Sequence, residues 1–144
     1  MEKILVAVDG KRGVWEALSH ACSLAKRIAV KLNILLVVGP GIEKMSHNER
    51  EREKQIKVKL ELLIEAAKAQ GIQINYFITE GIYEDEVIHF VNHNKISLLV
   101  YDANDGDTRA ANSDLVFLRS LRHRIACRVE VVSAKKIKNK KGEV

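Results

Sequence analysis

"KILVAVDG", residues 3–10, is an unbroken apolar run rich in β-branched residues that stops at Asp9-Gly10. A short run of this kind, closed by a turn signal, reads as a strand buried on both faces. The pattern recurs along the chain. "KLNILLVVGP" (31–40) ends at Gly39-Pro40, "ISLLVYD" (96–102) is again continuous, and "RVEVVSA" (128–134) is a short last run. "IQINYFITEG" (72–81) alternates more and ends at Gly81.

Between these runs the apolar spacing changes from strand-like to helical. Val14, Leu18, Ala21 and Ala25 mark a first helix, in which Trp15 shares a packing face with Leu18 and Cys22. Ser46 and Glu49 have capping-box spacing ahead of Ile56, Leu60, Leu63, Ile64 and Ala67, and Gly71 supplies a stop. The early turns of this second helix, "NEREREKQ", are charged all round and are expected to project into solvent. Val87, Ile88 and Val91 mark a third helix, with Glu84, Asp85 and Glu86 in a first turn where negative charge suits the dipole. Leu115, Leu118 and Leu121 mark a fourth.

Strand and helix therefore alternate, which predicts a single doubly wound α/β domain: a five-stranded parallel sheet with helices on both faces. In such sheets ligands lie outside the carboxyl ends of the strands, where the winding reverses. Asp9, Val37 and the loop holding Asp102, Asp105 and Asp107 all fall at carboxyl ends, with Asp114 just beyond.

Composition narrows the function. Hydrophobic residues make up 47% of the 144, enough for one packed domain and too many for a disordered chain. Aromatic content of 5% argues against a base-stacking nucleic-acid platform, and no apolar run approaches the length of a membrane span. The opening residues read as a first strand rather than a signal peptide, which gives the expectation of a cytoplasmic protein. Cys22 and Cys127 lie far apart without a CxxC pattern and read as reduced core residues. Of the 24 basic and 19 acidic residues, five Lys and one Glu lie in the last ten positions, so the body is nearly neutral. Residues 1–134 are expected to form the domain and 135–144 a solvated Lys-rich tail; a polyanion-binding arm is the sharper alternative.

The strand ends carry a resemblance. "KILVAVDG" is similar to the first strand of the universal stress protein family, "WEALSHACSLAKRIAVKLNILLVVGP" resembles its first helix and second strand, and "SLRHRIACRVEVV" its closing helix and fifth strand. The resemblance spans about residues 2–134 and implies the adenine nucleotide alpha hydrolase-like fold. Members of that family that bind ATP carry G-x2-G-x9-G-[ST] after the fourth strand. The matching segment, "DANDGDTRAANSDLVFLRSLRH", has Gly106 as its only glycine, and Arg119 precedes Ser120 where a glycine would stand. Glycines in such a loop let the backbone approach an anion and present N–H donors; carboxylates in their place repel a triphosphate. Asp9 and Val37 match the family's adenine and ribose side, while Lys11 departs from its serine. Lys11 and Arg12 are expected to face Asp105 or Asp107 and fill the space that phosphates occupy in relatives. The resemblance also implies a homodimer joined through the fifth strand, here Val129, Glu130, Val131 and Val132, with Glu130 at the rim.

Other constellations read as structural. Aligning Gly106 with the EF-hand glycine places Tyr101 and Asn112 where Asp and Glu are required, so that pattern fails. His89 and His93 can share a helix face, but a zinc site needs a third ligand and the H-E-x-x-H glutamate is missing, so no metal is expected. His123 among Arg119, Arg122, Arg124 and Arg128 suits a helix terminus beside the last strand. Neither cysteine shows an activating neighbourhood, the arginines near Cys127 being the one feature that would lower a thiol pKa. Neither a G-x-S-x-G elbow nor a Walker A loop is present, and no catalysis is expected. The sequence thus reads as a non-catalytic dimeric interaction protein with no cofactor and no ATP. The alternatives are a sensor of AMP, adenosine or another adenine nucleotide through Asp9 and Val37, and a polyanion adaptor using the tail.

Overall fold

The computed structural model describes residues 2–12, 15–39, 46–103 and 108–132, with backbone only for 108–113. Strands β1 (Ile4–Asp9), β2 (Leu32–Val38), β3 (Ile74–Glu80), β4 (Leu98–Asp102) and β5 (Arg128–Val132) alternate with helices α1 (Trp15–Ile28), α2 (His47–Ala69), α3 (Tyr83–His93) and α4 (Thr108–Arg124). All neighbouring strands pair in parallel, in the order β3-β2-β1-β4-β5. The winding therefore reverses between β1 and β4.

The two-residue period of a strand divides the core. Ile4, Val6 and Val8 face α1 and α2 together with Ile34 and Leu36. Leu5 and Ala7 face α3 and α4 together with Leu35, Val37 and Leu99. Every residue of β1 before Asp9 is buried, so the strand needs apolar side chains at consecutive positions. The strand β3 lies at the edge, and there Phe77 and Ile78 remain 41% and 50% exposed. Its weaker apolar run reflects that position.

The helices follow the same logic with two changes. Ala17, Leu18, Ala21 and Ala25 of α1 are buried, as are Ile56, Leu60, Ile64 and Ala67 of α2 and Val87, Ile88 and Val91 of α3. Leu63 is instead partly exposed on α2. On α4 the expected stripe is rotated: Leu115 is 60% exposed, and the inward face runs through Asp114, Phe117, Leu118 and Leu121. Ser46 and Glu49 form both halves of the capping box at the start of α2. Beyond them the charged turns are mostly exposed, but Glu53 is drawn in to accept the Gly39 N–H at 3.1 Å. A Cβ on Gly10 would lie 3.1 Å from Glu53 Cγ and from the Val37 carbonyl, so close packing there favours glycine.

Cys22 and Cys127 are free thiols, both half-buried. Burial pushes both thiols up in pKa, and the arginines near Cys127 do not reverse that direction. Trp15 packs against the α1/α2 core, with Lys59 Nζ 4.4 Å from its ring centre.

Candidate functional site

The strands β1 and β4 stay in register only as far as Val6 and Val100. Beyond that point Ala7–Asp9 remain paired with β2, ending at Asp9 opposite Val37, while β4 continues alongside β5 to Asp102 opposite Val132. The strands thus part at the reversal of winding, and the crevice opens where ligands sit in folds of this kind. Tyr83, from the start of α3, donates its hydroxyl to the Ala7 carbonyl at 2.9 Å in this splayed region.

The turn after β1 is tied back on itself. Asp9 Oδ1 accepts the Lys11 N–H at 2.9 Å, its carbonyl accepts the Arg12 N–H at 3.0 Å, and the Gly10 N–H reaches the Val37 carbonyl at 2.9 Å. Asp9 stands partly exposed at the mouth, whereas Val37 is buried in the α3/α4 core. Of the two expected contact residues, only Asp9 offers a polar side chain to the crevice.

Lys11 and Arg12 diverge. Lys11 turns towards α2, its Cε 3.3 Å from where a Cβ on Gly39 would lie. Arg12 turns towards β4: its Nη2 donates to the Asp102 carbonyl, and its Nη1 stands 3.5 Å from Asp114 Oδ1. Asp105 and Asp107, the expected partners, lie outside the described residues. Among the described residues the carboxylate that meets Arg12 is Asp114, buried on α4 and also accepting a hydrogen bond from the Tyr101 hydroxyl. Burial works against the guanidinium, but Tyr101, Tyr83 and Asp114 together raise its pKa. Burial and the neighbouring Asp114 raise the Tyr101 hydroxyl beyond its ordinary range, so it remains a neutral donor. The Tyr101, Phe117 and Tyr83 rings pack in series below this group, with centres 5.1 and 5.3 Å apart.

Asp102 has a second task. Its Oδ2 accepts the N–H groups of Glu16 at 3.0 Å and Ala17 at 3.1 Å. These are donors in the first turn of α1, the kind that binds a phosphate when a helix start faces a ligand. Here a carboxylate from β4 takes them. Burial raises the Asp102 pKa despite the opposing effect of these N–H groups and Arg12.

Among the described residues no buried side-chain polar atom lacks a partner. No group of three or more metal-ligating side chains converges among them either. Sequence reasoning missed Arg12–Asp114, Tyr83 and Tyr101 as one assembly. A signal was present, since Asp114 stands at helical spacing from Leu118 and Leu121 and so falls on an otherwise apolar face. Ser120 belongs elsewhere: its hydroxyl donates to Glu84 Oε2 at 2.6 Å, joining α4 to α3.

The expected interface strand β5 is the other edge of the sheet. Val131 is 39% exposed there, and Glu130 accepts a 2.8 Å hydrogen bond from His20 Nε2 of α1, so its carboxylate is held against the chain's own helix. The Lys-rich tail lies outside the described residues. No helix among them is long and apolar enough to cross a membrane.

Residues 1–119 match the model of the universal stress protein family. The chain belongs to that family. Comparison with curated proteins finds no match. Among solved structures, a universal stress protein in complex with cAMP is 22% identical, with a TM-score of 0.67 over 92% of this chain and 96% of that one. The universal stress protein UspA of Lactobacillus plantarum is 19% identical, with a TM-score of 0.60 over 91% and 97%. A universal stress protein of Archaeoglobus fulgidus in complex with dAMP is 16% identical, with a TM-score of 0.62 over 91% and 97%. At these identities the likeness concerns the fold.

Proposed function

We propose that this universal stress protein acts in the cytoplasm by association rather than catalysis, as a homodimer joined through Val129, Glu130, Val131 and Val132, and that it does not bind ATP. The carrying observation is that Asp102 takes the Glu16 and Ala17 N–H groups while Arg12 is held by Asp114 and the Asp102 carbonyl. The chain's own carboxylates and carbonyl oxygen thus engage donors that would otherwise suit a phosphate. A triphosphate would have to displace them and would meet carboxylates at close range; each close like-charge pair costs about 1 kcal/mol even under water-like screening. The place of β5 at the end of the strand order, with no strand beyond it among the described residues, supports the dimer, since an open strand edge is a ready template for pairing. The domain is taken as residues 1–134, with 135–144 as an appended basic tail.

A second reading is a sensor of AMP, adenosine or another adenine nucleotide, with Asp9 and Val37 on the base and ribose side. The position of Asp9 opposite Val37 at the crevice favours it, and related structures hold cAMP and dAMP. Both readings meet in one experiment. Purified protein is denatured, released small molecules are identified by mass spectrometry, and the emptied protein is titrated with ATP, AMP and adenosine, with and without magnesium. No binding, with a dimeric mass by light scattering that Val131→Glu reduces to a monomer, is the expected result. Stoichiometric ATP overturns it, and binding of AMP or adenosine that Asp9→Ala abolishes establishes the sensor.

A further inference from the structure

The crevice lies at the carboxyl ends of the strands, and the amino ends carry a second recess. The helix α3 rests mainly on β2 and β1, which leaves the start of the edge strand β3 without a helix above it. Asn33 of β2 and Asn75 of β3 are register partners there, and Phe77 follows two residues on. All three lie on the sheet face that holds Leu35 and Val37 further along, so amides stand where that face otherwise carries apolar side chains. With Lys3, Lys31 and Asn94 they line a cavity of about 350 Å³.

The polar groups of this recess are ordered and its charge is one-sided. Asn33 Nδ2 donates to the Ile4 carbonyl at 3.2 Å, and Asn75 Nδ2 donates to Asn33 Oδ1 at 3.4 Å. Among the described residues nothing donates to Asn75 Oδ1, which remains an acceptor. Lys3 Nζ donates to the Asn94 carbonyl at 3.3 Å, and Lys31 is exposed with no carboxylate partner among the described residues. Glu2, the carboxylate of the wall, is already engaged by Ser97 Oγ at 2.7 Å and Arg128 Nη2 at 3.3 Å. The unbalanced charge is therefore positive. Phe77 is braced by Phe90, with ring centres 5.1 Å apart at 60°, yet it stays exposed.

We infer that this recess binds a small aromatic carboxylate bearing a ring hydroxyl or amine. The ligand ring packs on Phe77, whose position Phe90 fixes in advance, so little order is lost on binding. Its carboxylate meets the Lys31 and Lys3 ammonium groups, and its hydroxyl or amine donates to Asn75 Oδ1. Lys31 stands two positions before Asn33, which puts its backbone about 8 Å diagonally from that of Asn75. A single ring substituted on opposite sides spans that gap with the reach of a lysine side chain. The volume falls at the small end for ligand cavities, which suits one ring.

Titration of the 15N-labelled full chain with 4-hydroxybenzoate, followed by NMR, tests the assignment. The side-chain amide signals of Asn33 and Asn75 are expected to shift saturably, while that of Asn48 on α2 stays in place. Lys31 and Phe77 are both exposed, so substitution there leaves the core intact. Lys31→Gln should weaken binding about fivefold and Phe77→Leu about tenfold. Lys68→Gln, an equal charge change on the exposed side of α2, should match the wild type. Neutral 4-hydroxybenzamide and non-aromatic 4-hydroxycyclohexanecarboxylate should each bind more weakly than 4-hydroxybenzoate. No saturable shift of the two amides below about 10 mM, unchanged affinity in both Lys31→Gln and Phe77→Leu, or shifts confined to the crevice around Asp9 overturns the site.

Discussion

The helices α1 and α2 begin in opposite ways. The start of α2 is closed from within its own sequence: Ser46 Oγ accepts the Glu49 N–H at 3.1 Å, and Glu49 Oε1 accepts the Ser46 N–H at 3.2 Å. The start of α1 is closed from β4, where Asp102 accepts the Glu16 and Ala17 N–H groups from the far side of the crevice. Both satisfy orphan donors of a first turn. The local cap stabilises one helix end. The distant cap also ties α1 to β4 at the reversal of winding and engages N–H groups that would suit a phosphate. A cap that spans the fold therefore has consequences for binding that a local cap does not.

Breaking the crevice network should produce the largest effect. Asp114→Ala leaves the Arg12 guanidinium and the Tyr101 hydroxyl without their buried acceptor and is expected to lower stability by about 3 kcal/mol in urea denaturation. Adding Arg12→Met should recover part of that loss, and a double-mutant cycle showing no coupling would remove the pair from the account. Asp102→Ala comes next, with a loss of about 1–2 kcal/mol, and Asp102→Asn should lose less because the amide oxygen still accepts. Near- and far-ultraviolet dichroism should shift together in these variants, since this cap joins helix to sheet. Ser46→Ala is expected to cost about 1 kcal/mol or less, with faster amide exchange confined to the first turns of α2. Loss of protection across the sheet would contradict the contrast.

The smallest effect separates the two caps by sign with pH. Asp102 is raised above its ordinary 3.8, chiefly by burial, so its contribution is full below that value and is lost as pH rises through the folded-state pKa. Glu49 is lowered below its ordinary 4.5 by its hydrogen bonds with Ser46, so its contribution is present above that value and is lost as pH falls through the folded-state pKa. Stability differences between the wild type and Asp102→Asn, and between the wild type and Glu49→Gln, measured from pH 3 to 6, should therefore slope in opposite directions.

The contrast also explains what could be read in advance. Ser46 and Glu49 lie three positions apart, and capping-box spacing is a property of neighbouring residues. The buried strands were equally legible, because enclosure on both faces demands consecutive apolar side chains from Ile4 to Val8 and from Leu98 to Tyr101. The strand ends were legible too, and Asp9 and Val37 stand opposite one another at the carboxyl ends of β1 and β2. Leu115 was misplaced because a helical stripe read from leucines alone excludes an inward aspartate, and Asp114 turns inward, where Arg12 and Tyr101 meet it.

The sequence by itself determined the alternation of strand and helix and the two-faced core, since each depends on residue type and short-range spacing. Only the tertiary structure decided which carboxylate serves which cation or helix end. Arg12 has several acidic residues to choose from along the chain, and its choice rests on where β1 and β4 part. Partners brought from distant positions are selected by geometry and burial, and no spacing in the sequence records that selection.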